Sequence, residues 1–140
     1  MDLGSVQWLA VLVAVVIVFM SGMLWFSQRT LFPVWWRAMG KSPEDMAGGG
    51  NMKVLFGSTI IAAFVQAFGV AIVIGLREQG GTHVGPIRGL VIGAVIGILF
   101  AAATSLSHRL FAGQGFKVWA IEAGGDIAGL AAMGLVIGAF

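Results

Sequence analysis

The chain has 140 residues, of which 59% are hydrophobic and 10% charged, with a formal net charge of +2. Soluble domains carry about 25% charged residues, so this composition cannot cover a water-exposed surface and points to a bilayer. There is no cysteine, which excludes disulfides, thiolate metal sites and thiol nucleophiles.

The charge distribution defines the elements. Residues 3–28, 54–76 and 89–107 hold no charged side chain, and 118–140 holds only Glu122 and Asp126. Crossing the hydrocarbon takes roughly 20 apolar residues. The expected fold is therefore an all-α polytopic membrane protein, a bundle of four transmembrane helices over approximately 5–27, 54–76, 87–108 and 117–140. Four spans use the whole chain 1–140 as one integral membrane domain. The first span lacks the basic n-region of a signal peptide and is longer than a usual h-region.

The loop 29–53 follows span 1 and carries Arg29, Arg37, Lys41 and Lys53. Its aromatic run "RTLFPVWWRAMGK" makes Trp35 and Trp36 the expected interfacial anchors, with rings at headgroup level beside snorkelling basic residues. The alternative is a partner-docking or gating element. "SPEDM" reads as a helix start, with Ser42 as N-cap, Pro43 at N1 and two acids in the first turn. Glycines 48–50 then break it before span 2. Span 2 contributes Gln66 near mid-membrane, with Thr59 on the same side.

The loop 77–88 carries only Arg77 and Arg88, whereas 109–117 carries Arg109 and Lys117. Six basic residues against two put loops 29–53 and 109–117 in the cytoplasm and both termini outside. The expected location is an inner (cytoplasmic) membrane.

Span 3 opens with Gly89, Gly93 and Gly97, one every fourth residue. Small residues at that spacing let membrane helices approach backbone to backbone. Gly125 and Gly129, then Gly134 and Gly138, repeat the theme in span 4. The partner is another helix of the bundle or a second subunit.

The polar candidates converge on the last hairpin. Glu122 and Asp126 share a helix face, and an intramembrane acid costs roughly 2.5–3.5 kcal/mol. At about 1.5 Å per residue from Lys117, Glu122 lies just below the interface and Asp126 about 13 Å deep. Thr104 and His108 share a face at the end of span 3, and the short following loop brings that end close to the acids. In the structural reading His108, Arg109 or Lys117 neutralises Glu122, and Asp126 fixes helix register. In the functional reading Asp126, Glu122, His108, Gln66 and Thr104 form a proton or cation path. One His with two carboxylates matches no strong metal motif, and "GGTHVGP" is a turn rather than a phosphate cradle. No enzyme activity, resident metal, cofactor or nucleic-acid partner is expected.

Two blocks carry a resemblance. "GMLWFSQRTLFPVWWRAMGKSPEDM" at 22–46 and "ATSLSHRLFAGQGFKVWAIEAGGDIAGLAAMG" at 103–134 resemble the bacterial membrane family known as the domain of unknown function numbered 1761. Gln28-Arg29 stands where that pattern has Ser-Pro. The resemblance implies a compact four-helix membrane protein and brings no activity or ligand. Two functions are therefore expected as alternatives. One is a homo-oligomeric channel or transporter-like protein for protons or small cations. The other is a non-transporting subunit of a larger membrane complex.

Overall fold

A computed structural model describes residues 6–48 and 51–140. It is all-helical, with α1 over Trp8–Trp25, α2 over Phe32–Ala38, a 3-10 turn over Pro43–Gly48 and α3 over Met52–Glu78. Next come α4 over Pro86–Ile96, a π-helical segment over Gly97–Ala102, α5 over Ala103–Phe111 and α6 over Gly115–Ile137. Four stretches are long and apolar enough to cross a membrane: α1, α3, the continuous rod Pro86–Phe111, and α6. The expected four-span fold class is the one observed.

Polar turns set the ends. The Thr30 hydroxyl lies within hydrogen-bonding reach of the Leu24 and Trp25 carbonyls, at 2.5 and 2.8 Å. It thereby satisfies carbonyls that the end of α1 leaves without helical partners and turns the chain back into α2. Ser42 and Asp45 form part of a capping box. Asp45 Oδ2 accepts from the Ser42 amide at 2.7 Å and from its hydroxyl at 2.9 Å. Those two bonds, with a smaller contribution from the Lys41 charge, hold the Asp45 carboxyl below its ordinary pKa. The result is a 3-10 turn, because the Asp45 amide bonds back to the Ser42 carbonyl three residues earlier. Of the expected glycine break, residues 49 and 50 lie outside the described residues. Asn51 then caps α3 by accepting from the Lys53 amide at 3.0 Å.

α6 sits at the centre and touches α1, α2, α3, α4 and α5. Its main contact is with α4, and that contact depends on missing side chains. A Cβ on Gly93 would overlap the Leu130 carbonyl oxygen, and Cβ atoms on Gly89 and Gly134 would overlap each other's carbonyl oxygens. A Cβ on Gly97 would lie 2.8 Å from Ile127 Cα, and one on Gly138 would lie 2.6 Å from the Gly85 oxygen. The glycines of span 3 thus meet the second glycine pair of α6 and the backbone between, all inside one bundle. Gly125 and Gly129, expected in the same role, face α1 instead. A Cβ at Gly125 would lie 3.1 Å from Trp25 Nε1, and one at Gly129 would be in ordinary contact with Val18.

The core is closed at one end only. Ala10, Val11, Ala14 and Val15 of α1 pack with Ala67, Val70, Ala71 and Ile74 of α3. Leu130, Met133, Val136 and Ile137 of α6 complete that cluster. Towards the other end α3 loses its cover, since residues 52–62 are exposed except for half-covered Gly57. Only the edge-to-face pair Phe19–Phe56, at 6.0 Å, links that part of α3 to an aromatic ring of α1.

The seam yields a contrast between two glycines. Gly93→Ala is expected to destabilise the protein by about 1–3 kcal/mol or more, as over-packing against backbone does. Gly57→Ala, with nothing within 4 Å of its added Cβ, is expected to be neutral or slightly stabilising. Thermal unfolding in detergent compares the two.

Candidate functional site

The polar site is built where α5, α6 and α2 meet. Gly113 and Gly115, with φ of +70° and +81°, take the left-handed conformation that a side chain resists, and so close the α5–α6 hairpin in three residues. That closure puts Arg109 beside Glu122, with Nε 2.6 Å from Oε2. The pair is a charge contact rather than an aligned hydrogen bond, because Oε2 has no donor in hydrogen-bonding geometry. Arg109 is also held by Gln114, whose Oε1 accepts from Nη1 at 2.9 Å. The other oxygen of Glu122, Oε1, accepts from Trp35 Nε1 at 2.9 Å. With its side chain only 15% exposed, Glu122 is neutralised by Arg109 and takes no ion pair from His108 or Lys117 among the described residues.

Trp35 therefore does more than mark the headgroup level. It reaches from α2 to α6 and packs edge-on against Phe26 at 5.3 Å. Trp36 turns the other way: its Nε1 donates to the Ser42 carbonyl at 2.6 Å, and Lys41 Nζ lies 4.5 Å from its ring centroid. Two further tryptophans, not singled out by sequence reasoning, complete the clamp on the start of α6. Trp25 Nε1 donates to the Ile121 carbonyl at 3.1 Å, its ring lying over Gly124 and Gly125. Trp119 Nε1 donates to the Ala102 carbonyl at 2.9 Å, at the end of the π-helical segment. The readable signal was a tryptophan at the end of span 1 and another in the first turns of span 4. The π segment, in which the Ala103 amide bonds the Ile98 carbonyl, has no such signal. Segments of this kind recur at functional sites, and this one begins at Gly97, directly against Ile127.

The family comparison bears on the whole of this assembly. Residues 9–138 match the model of a family described as a protein of unknown function (DUF1761). The chain belongs to the DUF1761 family. No curated protein and no solved structure matches it.

The other expected site residues of this DUF1761 protein are not gathered around Glu122. Thr104 and His108 do share a face, but both are exposed, because Arg109 and Ser105 take the side of α5 turned towards α6. Gln66 is exposed on α3. Asp126 is the informative case. It lies on the stripe of α6 that buries Ala123, Leu130, Met133 and Ile137, at spacings of three, four, seven and eleven residues. Asp126 is nevertheless exposed. Neither ion pair of the described residues includes it.

Arg109 and Glu122 should behave as one unit. Arg109→Gln and Glu122→Gln are each expected to cost about 1–3 kcal/mol by leaving a partly buried polar partner unpaired, with the lower end favoured because Arg109 is 40% exposed. The double variant should cost clearly less than the sum. Unfolding in detergent followed by tryptophan fluorescence measures this, and additive losses would show the two residues to be independent.

Proposed function

We propose that this protein acts as a homo-oligomer in which Asp126 lines a path for protons or small cations between protomers. The observation that carries the reading is the exposure of Asp126 on a membrane-spanning helix, away from the buried cluster that closes the other end of the bundle. A carboxylate about 13 Å below the interface, by helix rise, is expensive in contact with lipid. It is tolerated where water or another polar surface covers it. On the α4 side the seam is backbone against backbone and leaves no room for a path, which favours a path completed by a neighbouring protomer. The uncovered first half of α3 supports the same reading, being apolar on nearly every side and suited to a second copy. Glu122, neutralised by Arg109, serves to position α6, and Asp126 remains as the group able to take up and release a proton. In this reading loops 29–53 and 109–117 face the cytoplasm across an inner membrane.

A second reading is favoured by a separate feature. Thr104 and His108 are exposed on α5, and Phe111 at its end is 93% exposed. That polar and aromatic edge suits a larger partner, for which this chain would be a non-transporting subunit.

Flux through proteoliposomes separates them. The purified protein should pass protons or small cations faster than empty vesicles, and Asp126→Asn should return the flux to the empty-vesicle rate. Glu122→Gln should lower it less, through stability. Wild-type flux equal to that of empty vesicles for protons, sodium and potassium would remove the transport reading and leave the accessory one.

A further inference from the structure

At the opposite end of the bundle from Arg109, a cavity of about 280 Å³ opens between the end of α3 and the start of α4. Its polar lining is Arg77, Arg88 and Thr82, and its apolar lining includes Val84, Ile87 and Val91. Arg77 and Arg88 are both exposed, and two cationic side chains bordering one small cavity form a positive patch that favours an anion. Glu78, on the same end of α3 as Arg77, is engaged elsewhere. Glu78 Oε1 accepts from the Val84 amide at 2.8 Å and lies 2.9 Å from His83 Nδ1, so it closes the loop and pairs with the imidazole. Among the described residues neither Arg77 nor Arg88 has an ion-pair partner.

The start of α4 adds a second attraction for an anion. Its N-cap is Gly85, which has no side chain to cap the first turn, and Ile87 and Arg88 of that turn line the cavity. Uncapped amides at a helix N-terminus carry partial positive charge and favour anions. Val91 and Ile92 extend the apolar lining along α4, and α3 and α4 meet only sparsely. Cationic and hydroxyl groups at the membrane edge with an apolar seam beneath are complementary to one class of molecule. It has an anionic phosphate at its head and a hydrocarbon tail.

We propose that Arg77, Arg88 and the first turn of α4 bind the phosphate of an anionic phospholipid whose acyl chain lies in the α3–α4 seam. The bound lipid neutralises the two arginines and fills the sparse contact, and so acts as a part of the folded protein in the membrane. The site is independent of Asp126 and of any transport activity.

The test uses the full chain, purified in detergent and stripped of lipid, then supplied with phosphatidylglycerol, phosphatidylcholine or inorganic phosphate. Native mass spectrometry should show one tightly held phosphatidylglycerol per chain, and thermal unfolding should shift upward with that lipid alone. Arg77→Gln/Arg88→Gln should weaken the lipid's binding roughly 30-fold, since each basic group contributes about a factor of five at such a surface. Arg29→Gln, at the other end of the bundle, should leave it unchanged. Equal binding of phosphatidylcholine would overturn the proposal, and so would a double variant that holds phosphatidylglycerol as well as the wild type. A full thermal shift from inorganic phosphate alone would show a free-anion site in its place. If the double variant does not fold, the comparison of the two lipids on the wild type decides.

Discussion

The contact between the backbones of α4 and α6 governs the rest of the structure. In a bilayer there is little hydrophobic drive between helices, so close dispersion packing and polar contacts hold them together. Glycines at 89, 93, 97, 134 and 138 remove the side chains that would keep these two rods apart. Once α6 lies in that seam it is the only helix that α1, α2, α3 and α5 all need to touch. Any bulk added at Gly93 or Gly134 displaces the hub and every helix packed against it.

The start of α6 is held by a different chemistry. Trp25, Trp35 and Trp119 each place an indole N–H on a polar atom at or near this end, and Arg109 supplies the charge for Glu122. An indole buries a large apolar ring while its N–H finds a partner, which suits a level where the membrane gives way to headgroups. The clamp makes Glu122 intelligible as structure. It also makes Asp126 stand apart, because one turn deeper the same helix face has no comparable partner. The two acids are close in sequence and distinct in surroundings.

Much of the architecture was legible from the chain. The charge-free runs fixed the four spans to within a few residues, and the glycine period in span 3 identified the packing face. Arg109 was among the expected partners of Glu122, since a short hairpin leaves it nowhere else to go. His108 and Thr104 were placed on the correct shared face, but which face α5 turns inward depends on the π segment. A π turn shifts the helical register, and no residue of "GILFAA" announces it. The choice of Gly134 and Gly138 over Gly125 and Gly129 was equally hidden, because all four are glycines and only the crossing of Trp25 decides. The exposure of the first half of α3 is a tertiary fact with no local sequence signal, and so is the exposure of Asp126.

The proposed homo-oligomer requires a second copy to cover the exposed face around Asp126. The chain has no cysteine, so a single one placed by Asp126→Cys, close in size to the residue it replaces, reports on that face alone. Oxidative cross-linking of this variant in native membranes is the most direct measurement. Covalent dimers between copies are expected, formed rapidly and lost when the protein is diluted into excess detergent before oxidation. A cysteine at this position that yields monomer only in the intact membrane would contradict the proposed homo-oligomer.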